Sequence, residues 1–138
     1  MKFKMLASLM LAVGAIYLFG AFKPQENGQV YFIRSTNSVG SMVAYKVFID
    51  DTLVCDLKNK HYSVHDIAPG DHTVAIQNTG LASHKKSRPL KITVQAGKIN
   101  YLVAINGSEI YLQETVETSA KELLKKVVST KDCLPKKK

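Results

Sequence analysis

The 138-residue sequence contains no G-x-S-x-G nucleophile elbow, no Gly-rich phosphate loop and no His-Glu zinc motif. Those absences remove the hydrolase, nucleotide-binding and zinc-peptidase signatures that can be read without an alignment. Cysteine is scarce. Cys55 and Cys133 are the only two, and neither lies near the end of the N-terminal apolar run, which excludes lipidation there. Basic and aromatic residues form no interleaved platform, so nucleic acid is not expected as a partner.

What is present begins with the leader. Lys2 and Lys4 precede Met5 to Phe22, a run of 18 residues without a charge. A basic start followed by an apolar stretch is the layout of an export signal. Cutting after Ala21 puts Phe19 at position −3, cutting after Gly20 puts Leu18 there, and cutting after Ala15 leaves an apolar new terminus. None makes a small-x-small cleavage site. As a helix the run would be about 27 Å long, near the lower limit for crossing a bilayer. Two fates therefore stand for residues 1–22, a cleaved signal or an uncleaved membrane anchor with the remainder outside.

Removing the leader leaves enough chain for one domain with its own core. Residues 23–116 carry 10 basic and 8 acidic side chains, whereas residues 117–138 carry 7 and 3. The formal charge of +8 is thus concentrated in the tail, which ends in Lys136-Lys137-Lys138. A tail of this kind can meet phosphate, anionic lipid or an acidic partner, and the favoured reading is a solvated terminus. In an oxidising compartment Cys55 and Cys133 could pair, closing a long loop for about 4 kcal/mol. The other reading is a buried free Cys55, which shares strand parity with Leu53 and Leu57.

After a polar linker at residues 23–28, apolar side chains recur at every second position. Val30 to Arg34, Val43 to Ile49, Leu53 to Leu57 and Tyr62 with Val64 read as four strands. His72 to Ile76, Leu90 to Val94, Ile99 to Ile105 and Ile110 to Leu112 add four more. Asp50-Asp51, Asn59, Pro69-Gly70-Asp71, Ala96-Gly97-Lys98 and Asn106-Gly107 supply turns, and residues 78–88 read as a polar loop. The Asn106-Gly107-Ser108 sequon is one of these hairpin turns. Even spacing with one apolar face per strand predicts an all-β, antiparallel sandwich of seven or eight strands over residues 29–116. The N-terminal hydrophobic segment precedes it as a helix.

The period changes after Val116. Ala120, Leu123, Leu124, Val127 and Val128 form a helical stripe over residues 117–130, with a capping box at Ser119 and Glu122. Pro135 bars continuation, and residues 131–138 form the basic tail. So short a helix is expected to dock on the sandwich.

Val30-Tyr31-Phe32-Ile33-Arg34, Val39-Gly40-Ser41, Tyr45-Lys46-Val47-Phe48-Ile49-Asp50 and Leu57-Lys58-Asn59 occur in order. Tyr62, Pro69-Gly70-Asp71-His72-Thr73-Val74, Val94, Ala96-Gly97-Lys98 and Tyr101 follow. This ordered set resembles the bacterial exported family called domain of unknown function 2846, often lipoprotein-like. The resemblance covers roughly residues 29 to 125 and implies a small envelope β-sandwich with no established activity. Ser35 stands where the family commonly has proline, and the lipidation cysteine is lacking.

His61 and His65 stand about 13 Å apart along one strand, too far to share a metal. His72 reads as packed and hydrogen-bonded on an apolar face, within conceivable reach of Cys55 across the core. His84 sits in a basic loop with Lys85, Lys86 and Arg88. Asp50, Asp51, Asp56, Asp66 and Asp71 fall near turns and read as turn formers. No catalytic residue, metal ligand or cofactor is therefore expected. Tyr31, Arg34 and Tyr45 are the candidates for a binding surface, with sheet-face packing as the other reading. The leading expectation is a non-enzymatic envelope module whose partners are the membrane, through the N-terminal segment, and an envelope protein or ligand. The alternative is a sandwich that binds a small ligand or glycan through Arg34.

Overall fold

A computed structural model describes residues 23–36, 42–80, 84–131, 133 and 134. The leader, Val39-Gly40-Ser41 and the tail beyond Leu134 lie outside them. Among the described residues no helix is long and apolar enough to cross a membrane.

Among the described residues, nine strands and one helix follow in chain order. They are β1 (Gly28–Arg34), β2 (Tyr45–Ile49), β3 (Thr52–Leu57), β4 (His61–Ile67), β5 (Gly70–Asn78) and β6 (Leu90–Val94). Then come β7 (Ile99–Asn106), β8 (Ile110–Thr115), α1 (Glu117–Leu124) and β9 (Val128–Ser129). One sheet has the order β8-β7-β1-β4-β9 and the other β3-β2-β5-β6. Val30, Phe32, Val47, Cys55, Leu57, Val74, Ile76, Val94 and Leu102 are buried between them. The sheets are stacked because each strand alternates its side chains, so only an opposing sheet can cover an apolar face this wide.

Local chemistry sets the connections. Asp50 and Asp51 both adopt positive φ, at 48° and 61°. Two such residues between β2 and β3 make the hairpin turn whose twist matches the strands, and aspartate tolerates the left-handed region. Gly28 opens β1 against β6, where a Cβ would stand 2.5 Å from Gln95 O.

The eight expected strands all form, but they are not all antiparallel. β1 runs parallel to β7, and β9 runs parallel to β4. Alternation has the same parity in either direction, so periodicity cannot report it. Between β1 and β7 the chain runs through β2 and β3 in the second sheet, β4 in the first, and β5 and β6 in the second, a path long enough for a parallel pairing.

The inner and outer faces also differ from the expected ones. In β4 the polar residues His61, Ser63 and His65 share the parity that faces the second sheet, while Tyr62 and Val64 lie outside. In β7 Leu102 and Ala104 belong to the inter-sheet core, whereas Tyr101 belongs to a second cluster on the outer face. The outer face is apolar because α1 covers it. Ala120 is fully buried there against Ile33 and Tyr101, with Tyr31, Tyr62, Leu123 and Leu124 packed around them. Tyr31 stacks on Tyr62 at 6.0 Å and meets Tyr101 at 5.2 Å.

The helix is shorter than its stripe. It starts at Glu117 after Val116, with no side-chain cap, so the Ser119–Glu122 box does not form. It ends at Leu124, and the chain extends through buried Val127 to β9. Val128 N donates to Lys60 O and Thr130 N to Tyr62 O, at 3.0 and 2.8 Å. The run Val127-Val128-Ser129-Thr130 favours extended backbone, and the open edge of β4 offers it partners.

Phe32 is fully buried at the centre of the inter-sheet core. Phe32→Ala is expected to cost about 3–5 kcal/mol, measured as the shift in urea midpoint at unchanged slope.

Candidate functional site

Arg34 ends β1 facing inward and is fully buried. Its guanidinium carbon lies 3.6 Å above the Tyr45 ring. Nη1 donates to Val43 O at 2.6 Å and to Leu57 O at 2.9 Å. Burial lowers its pKa, and Tyr45 opposes that shift. Arginine nevertheless stays charged, because its intrinsic pKa lies far above neutrality. The side chain thus ties the end of β1 to the segments before β2 and at the end of β3. Next to it, Asn59 Oδ1 accepts from Thr36 N and Thr36 Oγ1, and Asn59 Nδ2 donates to Thr36 O.

This placement corrects the expected binding surface. Arg34 and Tyr45 are interior, with Tyr45 only 1% exposed. Tyr31 lies on the opposite face of β1, under α1. Positions 31 and 34 differ by an odd number, so strand alternation already separates their side chains.

The second polar group in the interior stands at β3 and β4. Cys55 and Cys133 are joined in a disulfide. Asp56 N donates to Cys133 O at 2.6 Å, so the segment after β9 seals the free edge of β3. The strap therefore bridges the end strands of both sheets along one seam. His65 points into the same place. Its donor nitrogen and the two sulfurs all lie within 4.8 Å of one another. His65 Nε2 is 3.1 Å from Ser63 Oγ, and the ring stands edge-on to Phe32 at 5.6 Å. Burial lowers the His65 pKa, against a smaller raising effect of Asp66, which favours a neutral ring. The histidine near Cys55 is thus His65, and not His72. A metal could be held only by the thiol form, since the disulfide engages both sulfurs.

His72 sits at the far end, where β5 begins. Its Nδ1 is 2.6 Å from Asp50 Oδ2, and its Nε2 is 2.7 Å from Ala68 O. Thr73 N donates to the other Asp50 oxygen at 2.9 Å. Two acceptors on one ring favour the doubly protonated imidazolium, so the His72 pKa is raised, chiefly by Asp50. The same bond lowers that of Asp50. Other carboxylates work singly: Asp66 accepts from Gln29 Nε2 and Asp71 from Thr93 Oγ1.

The opposite seam, between β6 and β8, carries no strap among the described residues. A groove of about 400 Å³ runs past Lys85, Lys86, Arg88 and Asn106. A second of about 360 Å³ shares Arg88 and Ile110 with it and is floored by Pro89, Leu90 and Leu112. Tyr111, 43% exposed, stands at its edge. Lys86 Nζ lies 3.9 Å over the Phe48 ring, and His84 is exposed in the adjoining loop. Sequence reading did not single out this seam, because its walls come from strands 20 residues apart.

Residues 24–118 match the family described as "Protein of unknown function (DUF2846)". The chain belongs to that family. The match takes in β1 to β8, Arg34, Tyr45, Cys55 and His65, and it stops before β9 and Cys133. The DUF2846 segment is therefore the sandwich, and the disulfide strap lies beyond the matched residues. No curated protein matches the sequence.

Two measurements check these assignments. Arg34→Met keeps most of the side chain's bulk and removes the donor to the buried Leu57 carbonyl and to the half-buried Val43 carbonyl. At about 1–3 kcal/mol for each unsatisfied buried group, it is expected to destabilise the fold by about 2–4 kcal/mol in denaturant titration. His72 has a folded pKa above its ordinary 6.5. Its contribution to stability is complete below the unfolded pKa and is lost as pH rises through the folded one. Proton NMR should place the wild-type His72 midpoint above that value, and Asp50→Asn should bring it down. An unchanged midpoint would remove the ion pair.

Proposed function

We propose that this DUF2846 protein is an exported, non-enzymatic module of the cell envelope that holds a partner protein at the seam between β6 and β8. The contrast between the two seams carries this reading. One is sealed by the Cys55–Cys133 strap, while the other opens over an apolar floor with Arg88 and Lys85 on its rim. An apolar centre with a polar rim suits a protein contact. The disulfide supports an oxidising compartment, and the charge-free run from Met5 to Phe22 supports export or anchorage. A structural role for the interior polar groups supports a non-enzymatic module. Arg34 binds backbone carbonyls, and His72 is tied to Asp50 and Ala68. The buried guanidinium gives no support to a glycan site at Arg34.

Thiol trapping and photocrosslinking in intact cells test the two halves. After alkylation, the protein is expected two hydrogens lighter than the dithiol and unlabelled at both cysteines. Labelled cysteines would sink the export reading. A photoreactive residue replacing Tyr111 should give one discrete protein adduct, and the same residue replacing Thr52 should not. Equal labelling from both positions, or none from Tyr111, rejects the seam.

A further inference from the structure

We propose that the thiol form of this protein binds a soft divalent or monovalent metal ion, zinc(II) or copper(I), through Cys55, Cys133 and His65. The geometry carries the assignment. Three potential donors from three separate segments converge within 4.8 Å. Two thiolates and an imidazole are the donor set these ions prefer. For bonds of about 2.3 Å to sulfur, the two sulfurs must stand roughly 3.8 Å apart. Breaking the S–S bond removes the covalent constraint that holds the two sulfurs closer than that, and the Cys133 side chain can then rotate while its carbonyl keeps the hydrogen bond to Asp56 N.

His65 is prepared for the role. Ser63 Oγ faces its Nε2, which leaves Nδ1 as the nitrogen without that hydrogen bond. A hydrogen bond to one ring nitrogen is what orients ligating histidines elsewhere, leaving the other for the ion. Phe32 holds the plane of the ring edge-on. Cys55 is buried, while His65 and Cys133 are only half-buried, so an ion has a way in. A water molecule would complete a four-coordinate site.

A dithiol reductant gives two electrons to the S–S bond and a proton to each sulfur, and it becomes a disulfide itself. A divalent ion then displaces both protons from the thiols. Two thiolates neutralise its charge, and His65 binds as the neutral ring. The strap stays fastened in either state, by the disulfide or by the metal. Cys133, one of the three donors, lies outside the residues matched to the family.

The full-length chain in detergent, reduced with a phosphine that is then removed anaerobically, provides the test with cobalt(II) as probe. The reduced protein should bind one ion per chain, with a thiolate-to-cobalt charge-transfer band that zinc displaces. The oxidised protein should show no such band. His65→Ala, still carrying both thiols, should bind at least about tenfold more weakly. NMR on the same samples guards against unfolding. If reduction loosens the chain, zinc should restore the dispersed spectrum of wild type and not that of His65→Ala. Absence of the band from reduced wild type, equal affinity of the variant, or equal binding by the oxidised chain would each overturn the site.

Discussion

β1 lies at the middle of its sheet and presents apolar side chains on both faces, and the rest of the molecule is arranged around that burden. Val30 and Phe32 point into the sandwich, while Ile33 and Tyr31 point the other way. One opposing sheet can cover only the first set. The second needs its own cover, and α1 supplies it with Ala120, Leu123 and Leu124. An eight-residue helix is too short to be stable alone, so burial against the tyrosines is what maintains it. The helix in turn delivers the chain to the edge of β4. Parallel pairing there carries it across the seam to Cys55. Helix, β9 and disulfide are thus successive consequences of a doubly buried central strand.

Polar groups inside the sandwich are placed at its margins, where they can be matched. Arg34 closes one end by reaching two carbonyls and an aromatic face. A buried charge is tolerable only with such partners. His65 stands beside Ser63 and the cysteines at the strapped seam. His72 and Asp50 form an ion pair where the β2–β3 hairpin meets β5. Because Asp50 remains half exposed, that pair contributes at most about 1 kcal/mol. Its main effect is to fix the hairpin against its neighbour through Thr73 N as well. The DUF2846 match covers the sandwich and ends at residue 118, before β9 and the Cys55–Cys133 strap.

Much of this was readable in advance, and the failures have physical reasons. The strands at Val30, Leu90 and Ile110 followed from alternation alone. The Asp50-Asp51 turn followed from the short acidic side chains, which accept positive φ. Tyr62 and Val64 misled because they are more apolar than His61, Ser63 and His65, yet they face outward. Hydropathy reports which face is greasier and not which face is covered, and here the outer face is covered too. Val127 and Val128 fitted a helical stripe equally well, but β-branched residues beside an unpaired edge take the strand. Arg34 looked like a surface residue because charge usually is.

The sequence by itself determined the strand positions, the turns and the family, because these depend on neighbours within a few residues. The tertiary structure alone decided strand direction, the inward side of β4 and the meeting of Cys55, Cys133 and His65. Each of those depends on contacts between residues far apart in the chain, whose closure no local period records. Only the folded chain brings Cys133 back to β3, through a helix and a two-residue strand whose positions are set by what β1 leaves uncovered.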